Sequence, residues 1–254
     1  MEVSASLLNV KEEEAITTFY RLEMAHTDYF HIDVMDGKFV VDNTIEKMKE
    51  YADNLKNITN IPLDIHIMCK NVREYVDMFA SCEPRIINFH LEAFEKENDI
   101  NAEDKKAENV EEVNKANARE NKAKVNEKKV NDTEIFEMIK YIKSSNCKVG
   151  IAINPETNIE SVYKFLPVIH NVLIMSVHPG KGGQKFIDGT VNKIKKLKDY
   201  IENSHLENEI EVDGGINFET AKKVSEAGAN IVSVGSYLIN SKDYKYTISE
   251  MQKM

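Results

Sequence analysis

Eight times along the chain a short apolar run is followed by an amphipathic stretch. The runs are 3–8, 29–35, 62–68, 85–91, 148–154, 171–177, 209–215 and 230–236. The stretches behind them are 11–25, 43–55, 71–82, 132–145, 156–169, 188–204, 217–228 and a last one near 241–253. Strands that alternate with helices pair in parallel, because each helix carries the chain back to where the next strand begins. Eight such units in 254 residues fit an α/β fold of the closed (β/α)8 TIM-barrel type better than an open doubly wound sheet. No Gly-x-Gly-x-x-Gly follows the first run, which counts against a dinucleotide fold. Asn43 or Thr44 stands where a cap for the second helix is needed. The expected organisation is a single barrel domain over 1–254.

Residues 95–132 break the alternation between the fourth strand and the fourth helix. They are almost wholly Glu, Lys, Asn, Asp, Ala and Val, with no aromatic. Such a composition buries little apolar surface, and a long insertion costs little in loop closure. The segment reads as a charged, low-complexity insertion; a lid or a partner-docking arm is the sharper reading.

The formal net charge of -10 argues against broad binding to nucleic acid or an anionic membrane. It leaves room for a small anionic substrate, because backbone donors bind phosphate whatever the global charge. No apolar run is long enough to span a bilayer, and "MEVSASLLNVKEEE" lacks the basic start and apolar core of a signal peptide. Cys69, Cys82 and Cys147 show no CxxC spacing and read as reduced structural thiols, as expected of a cytoplasmic protein.

The second run, "YFHIDVM", carries His31 and Asp33 on one face of an otherwise apolar strand. Asp64 and His66 share a face in the third run, and Asp213 ends the seventh. Side chains at the C-terminal ends of barrel strands build the active site. Imidazole nitrogens with carboxylate oxygens suit one divalent metal ion, Zn, Fe(II), Mn or Co. Taken alone, each His is more often a hydrogen-bonded core residue. Asp36, with Gly37, reads as turn chemistry. Three glycine-bearing loops follow the sixth, seventh and eighth runs: "HPGKGGQKF", "DGGIN" and Gly235-Ser236. Glycines let a backbone approach an anion closely, and the last loops of such barrels often hold a phosphate.

The motifs "SASLL", "HIDVMDGKFV", "LDIHIM", "INPET", "MSVHPGKGGQKF", "IEVDGGIN" and "VGS" resemble those of the ribulose-phosphate 3-epimerase family. The resemblance covers nearly the whole chain outside 95–132. It implies a metal-dependent barrel that inverts C3 of a ketose phosphate, interconverting D-ribulose 5-phosphate and D-xylulose 5-phosphate through a cis-enediolate. It also implies that His31, Asp33, His66 and Asp213 bind the metal, and that Asp33 and Asp213 move the protons. Implied substrate contacts are Ser6, His66, Gly180, Lys181, Gly182, Gly183, Asp213, Gly214, Gly215, Gly235 and Ser236. Met35, Met68 and Met175 would pack beside the metal, and the implied assembly is a homo-oligomer. The chain departs from the family pattern at Ala5 (usually Pro), at Lys181 (usually aromatic) and at Phe39-Val40-Val41-Asp42 (usually Phe-Val-Pro-Asn). These departures lie near the substrate and leave D-allulose 6-phosphate as an alternative. A non-catalytic sugar-phosphate-binding barrel is a further alternative. A related metal-free decarboxylase would need Asp-x-Lys-x-x-Asp, which "DVMDGK" does not supply.

Overall fold

The computed structural model describes residues 1–95 and 130–254. Among these residues, eight parallel strands close into a barrel in sequence order, as the alternation predicts. They are β1 (Glu2–Ser6), β2 (Tyr29–Met35), β3 (Leu63–Met68), β4 (Ile86–His90), β5 (Lys148–Ile153), β6 (Asn171–Met175), β7 (Glu209–Asp213) and β8 (Ile231–Val234). Outside them lie α1 (Ala15–Met24), α2 (Ile45–Ile58), α3 (Val72–Ala80), α4 (Asp132–Ser144), α5 (Thr190–Asn203), α6 (Phe218–Ala227), α7 (Ser236–Ile239) and α8 (Tyr244–Gln252). No helix among the described residues is long and apolar enough to cross a membrane.

Three local features differ from the sequence expectation. The stretch after β5 is a 3-10 helix, Ile159–Val168, with Pro167 inside it. Proline has no N–H to give an α-helical ladder, yet Ile159, Val162, Phe165 and Leu166 still bury themselves against the barrel. After β8 the chain makes the extra turn α7 before α8. At α2, of the two candidate caps, Asn43 Oδ1 accepts from the Ile45 N–H at 3.1 Å, and the Thr44 hydroxyl does not cap the helix. It donates to the Asp33 carbonyl at 2.6 Å and accepts from Met35 N–H at 3.0 Å, tying the helix start to the end of β2.

The insertion expected at 95–132 falls mostly outside the described residues; its last residue, Asp132, opens α4. Glu95 and Val130 pair as an antiparallel bridge, so the chain leaves and rejoins the barrel at one point of the β4–α4 connection. Cys69, Cys82 and Cys147 are free and buried, as the scattered spacing predicts.

The apolar core lies between strands and helices, where Ile32, Val34, Ile65, Ile67, Phe89 and Ile151 meet Phe19, Tyr51, Phe79 and Phe165. The barrel interior is different. Tyr29, Ile86 and Ile231 form an apolar floor. Above it, Ser4, Asp64, Asn88, Asn171 and Glu211 are all buried and knit together. Asn88 Nδ2 donates to Asp64 Oδ1 at 2.8 Å and Asn171 Nδ2 to Glu211 Oε2 at 2.9 Å. Ser4 Oγ donates to Asp64 Oδ2 at 2.9 Å, and Asn171 Nδ2 reaches Asn88 Oδ1 at 3.0 Å. Burial, and then the neighbouring Asp64 charge, push the Glu211 carboxyl well above its usual range. A neutral Glu211 and a charged Asp64 spare this layer a second buried negative charge.

Gly150 makes room for that layer. A Cβ there would stand 1.7 Å from Asn88 Oδ1 and 2.3 Å from Asn171 Oδ1. Both amides are fully buried and hydrogen-bonded, so neither can retreat without breaking a bond. Gly150→Ala is therefore expected to destabilise by about 3 kcal/mol or more. A thermal melt should read this as a drop of roughly 6–12 °C. A midpoint within 2 °C (roughly half a kcal/mol) of the wild type would mean that the layer is not close-packed.

Candidate active site

Strand period and barrel register together bring the donors into one place. His31 and Asp33 lie two apart on β2, and Asp33 stands beside His66 of β3 in the parallel register. Asp213 closes β7, beside Met175 of β6 and Ser233 of β8. One ligand atom from each of His31, Asp33, His66 and Asp213 lies within 4.8 Å of the others. His31 Nε2 is 3.3 Å from Asp33 Oδ1; His66 Nδ1 is 3.2 Å from Asp33 Oδ1 and 3.8 Å from Asp213 Oδ2.

Three of the four donors are held by neighbouring side chains. His31 Nδ1 meets Asp64 Oδ2 at 2.5 Å, which turns Nε2 toward Asp33. Nε2 is a buried atom without a hydrogen-bond partner. Ser6 Oγ donates to Asp33 Oδ2 at 2.8 Å. His66 Nε2 lies 3.0 Å from His90 Nε2, and His90 Nδ1 lies 3.1 Å from Glu92 Oε2.

The electrostatics call for a cation. Burial raises the Asp33 carboxyl, but the His31 charge and the two imidazoles standing beside it outweigh burial and hold the group below its usual range. Burial lowers His31, but Asp64 and Asp33 outweigh that and hold the ring protonated well above its usual range. Burial lowers His66. Burial, then the Asp33 charge, raise Asp213. The two aspartates are thus driven in opposite directions. The positive charge now supplied by a proton on His31 can be supplied by a divalent ion held by the same atoms. Two imidazoles and two carboxylates, one ring nitrogen among them unpartnered, fit a Zn, Fe(II), Mn or Co ion chemically.

The site opens to a cavity lined by Ser6, Asp33, Asp213, Ser233, Met68 and Met175. Its rim is the glycine loops: Gly180, Lys181, Gly182, Gly183, Gly214, Gly215, Gly235 and Ser236 all line it. Gly215 shows why one rim position must be glycine. Its φ is +64°, and a Cβ would stand 2.5 Å from the Phe186 backbone nitrogen, so the two loops approach closer than a side chain allows. His66 and Met35 are both buried and are not among the lining residues of that cavity. Asp36 does turn chemistry: Oδ1 accepts from Lys38 and Phe39 N–H, and Oδ2 from Lys70 N–H, each at 2.8 Å. Burial raises its carboxyl, but these backbone donors outweigh it and hold it low.

Sequence reasoning passed over several residues that brace the site. Asn88 and His90 repeat on the inward phase of β4, and Glu211 precedes Asp213 on that of β7. Polar residues two apart in an apolar run were the available signal. Glu92 lies beyond the strand end, in a short 3-10 turn (Leu91–Phe94), and carried no periodic signal.

The model of the ribulose-phosphate 3 epimerase family matches residues 2–111 and 107–239. A ribulose-phosphate 3-epimerase of Helicobacter pylori (strain J99) is 32% identical, over 100% of this chain and 98% of its own. The Bacillus subtilis (strain 168) ribulose-phosphate 3-epimerase is 30% identical over 99% of this chain and 98% of its own. Among solved structures, a 3-hexulose-6-phosphate synthase from Salmonella typhimurium is 14% identical with a TM-score of 0.62, covering 100% of this chain and 97% of its own. KGPDC from Streptococcus mutans is 11% identical with a TM-score of 0.65, covering 99% and 95%. These distant likenesses speak for the fold alone. A family match that runs from β1 to the end of α7, together with full-length relatives about a third identical, leaves one conclusion: the chain belongs to the ribulose-phosphate 3-epimerase family of isomerases.

Proposed function

We propose that this barrel inverts C3 of D-ribulose 5-phosphate, forming D-xylulose 5-phosphate, with Asp33 and Asp213 as the two proton-transfer groups. The observation that carries the reading is the convergence of these two carboxylates with His31 and His66 at the mouth of a glycine-rimmed cavity. Inversion next to a ketone removes a proton on one face and returns one on the other, so two groups are needed. Asp33, held ionised, takes the proton from C3, while Ser6 Oγ keeps its other oxygen in place. Asp213, raised by burial, carries the proton to be returned on the opposite face. The roles exchange in the reverse direction. His31, Asp33, His66 and Asp213 would hold a divalent cation, which would supply positive charge where negative charge builds on the substrate. Gly182, Gly183, Gly214, Gly215, Gly235 and Ser236 grip the phosphate, with Gly180 and Lys181 at the edge, and so anchor the reacting carbon between the carboxylates. We read the chain as one catalytic domain with the charged insertion at 95–132 appended to it.

Lys181 lines both the site cavity and a neighbouring one in which Val41 and Asp42 also stand, so these departures from the family pattern bear on which substrate is taken. Comparing turnover of D-ribulose 5-phosphate and D-allulose 6-phosphate, with each divalent metal added in turn, tests reaction and substrate together. The expected result is a higher kcat/KM for the pentulose phosphate. A higher value for the hexulose phosphate reassigns the substrate; no turnover of either overturns the reading.

A further inference from the structure

The hydrogen bonds behind His66 run in one direction. Glu92 Oε1 receives the Asn154 backbone N–H at 2.7 Å and the Thr157 hydroxyl. A backbone N–H can only donate, so Oε1 can only accept. With two donors gathered on Oε1, Glu92 stands as a carboxylate, so Oε2 is an acceptor too. His90 Nδ1, 3.1 Å away, then carries a proton, and in the neutral ring this leaves Nε2 with a lone pair. That lone pair accepts from His66 Nε2 at 3.0 Å. The ring planes meet at 26° with centroids 5.1 Å apart, and the approach is nitrogen to nitrogen at 3.0 Å. With its proton on Nε2, His66 turns the Nδ1 lone pair to the place between Asp33 and Asp213.

This direction is not the one His66 would take by itself. Asp33 Oδ1, 3.2 Å from Nδ1, invites a proton onto that atom, where it would block a metal. The chain through His90 opposes that pull. It is also anchored at its far end. Lys193 Nζ holds the carbonyls of Asn154 at 3.1 Å, and of Pro155 and Thr157 at 2.5 Å each, so the loop that grips Glu92 is itself clamped. Phe39 lies against His90, ring centroids 5.0 Å apart.

We propose that His90 and Glu92 are positioning residues: a relay that fixes the proton of His66 on Nε2 and presents its Nδ1 lone pair to a divalent cation. The inference rests on the metal site proposed above. Metal-ligating histidines are commonly oriented this way by a carboxylate, and loss of such a partner typically costs about 10–100-fold in metal affinity. Here the carboxylate acts through a second imidazole.

Glu92→Gln makes a directional test. The Asn154 N–H keeps the amide oxygen at the Oε1 place, so the amide NH2 faces His90 Nδ1. His90 must then accept at Nδ1 and donate from Nε2, and the whole relay reverses. The measurements are Zn2+ affinity of the metal-free protein by chelator competition, and the protonated nitrogen of His90 by 15N NMR of the Zn2+-loaded protein. The wild type should show His90 protonated at Nδ1. Glu92→Gln should bind Zn2+ about 10–100-fold more weakly, with the His90 proton moved to Nε2. Thr157→Val, which leaves the Asn154 N–H in place, should keep both properties of the wild type. If Glu92→Gln does not fold, His90→Phe keeps a ring beneath Phe39, removes the acceptor and should weaken Zn2+ binding similarly. Zn2+ affinity within twofold of the wild type in Glu92→Gln, or in His90→Phe, overturns the relay, as does a wild-type His90 protonated at Nε2. A wild type that takes up no Zn2+ overturns the metal site itself, and the relay falls with it.

Discussion

Asp213→Asn is expected to cut epimerisation of D-ribulose 5-phosphate by at least about 10³-fold, since on the proposed mechanism it would remove one of the two proton-transfer groups and weaken a metal donor together. The loss should not reflect misfolding. Burial and the Asp33 charge raise the Asp213 carboxyl, so its ionised form is unfavourable in the folded chain. A group with a raised folded pKa contributes its stability below the unfolded value, about 3.9, and loses it as the pH rises toward the folded value. Without metal at pH 7, the Asn variant should therefore melt no lower than the wild type, and the difference should close as the pH falls toward 4. A second readout is specific to two opposed groups. With Asp33 intact, the variant should still exchange the C3 hydrogen of one epimer with deuterium from solvent while failing to convert it. In variant protein shown to hold its metal, turnover near the wild-type rate, or equal loss of exchange for both epimers, would rule out the two-carboxylate assignment.

Removing divalent metal should abolish turnover, by at least about 10²-fold, and restore it when metal is returned. The same treatment should lower stability. A ligand present at about 100 times its Kd stabilises the folded state by about 2.7 kcal/mol, and the chelated protein loses that. Proton uptake should accompany the loss. In the cation-free site Asp64 and Asp33, against the opposing effect of burial, hold His31 protonated well above its usual range. The ring therefore takes up a proton when the metal leaves, at any pH between its ordinary value, about 6.5, and the raised one. Titration with a chelator in weak buffer, watched by pH electrode and calorimetry, measures both. Full activity in protein shown to be metal-free would remove the cation from the reaction.

These expectations draw on two kinds of information. Periodicity in the sequence determined the barrel, because each strand–helix unit announces itself within about thirty residues. Period two also put His31 with Asp33, and Asp64 with His66, on shared strand faces, and glycine spacing marked the rim loops. The 3-10 stretch at 159–168 was less legible, because its burial pattern looks helical and only Pro167 argues otherwise. What the tertiary structure alone decided is how residues from different strands meet. Asp213 joins Asp33 through closure of the barrel, and Asn88, Asn171 and Glu211 interlock in a polar layer that Gly150 makes possible. Glu92 reaches Asn154 and Thr157 across a connection that no local pattern describes. The physical reason is that propensity and periodicity are properties of neighbours along the chain, whereas inter-strand register and the sharing of protons among buried groups arise only when the eight strands close on one another.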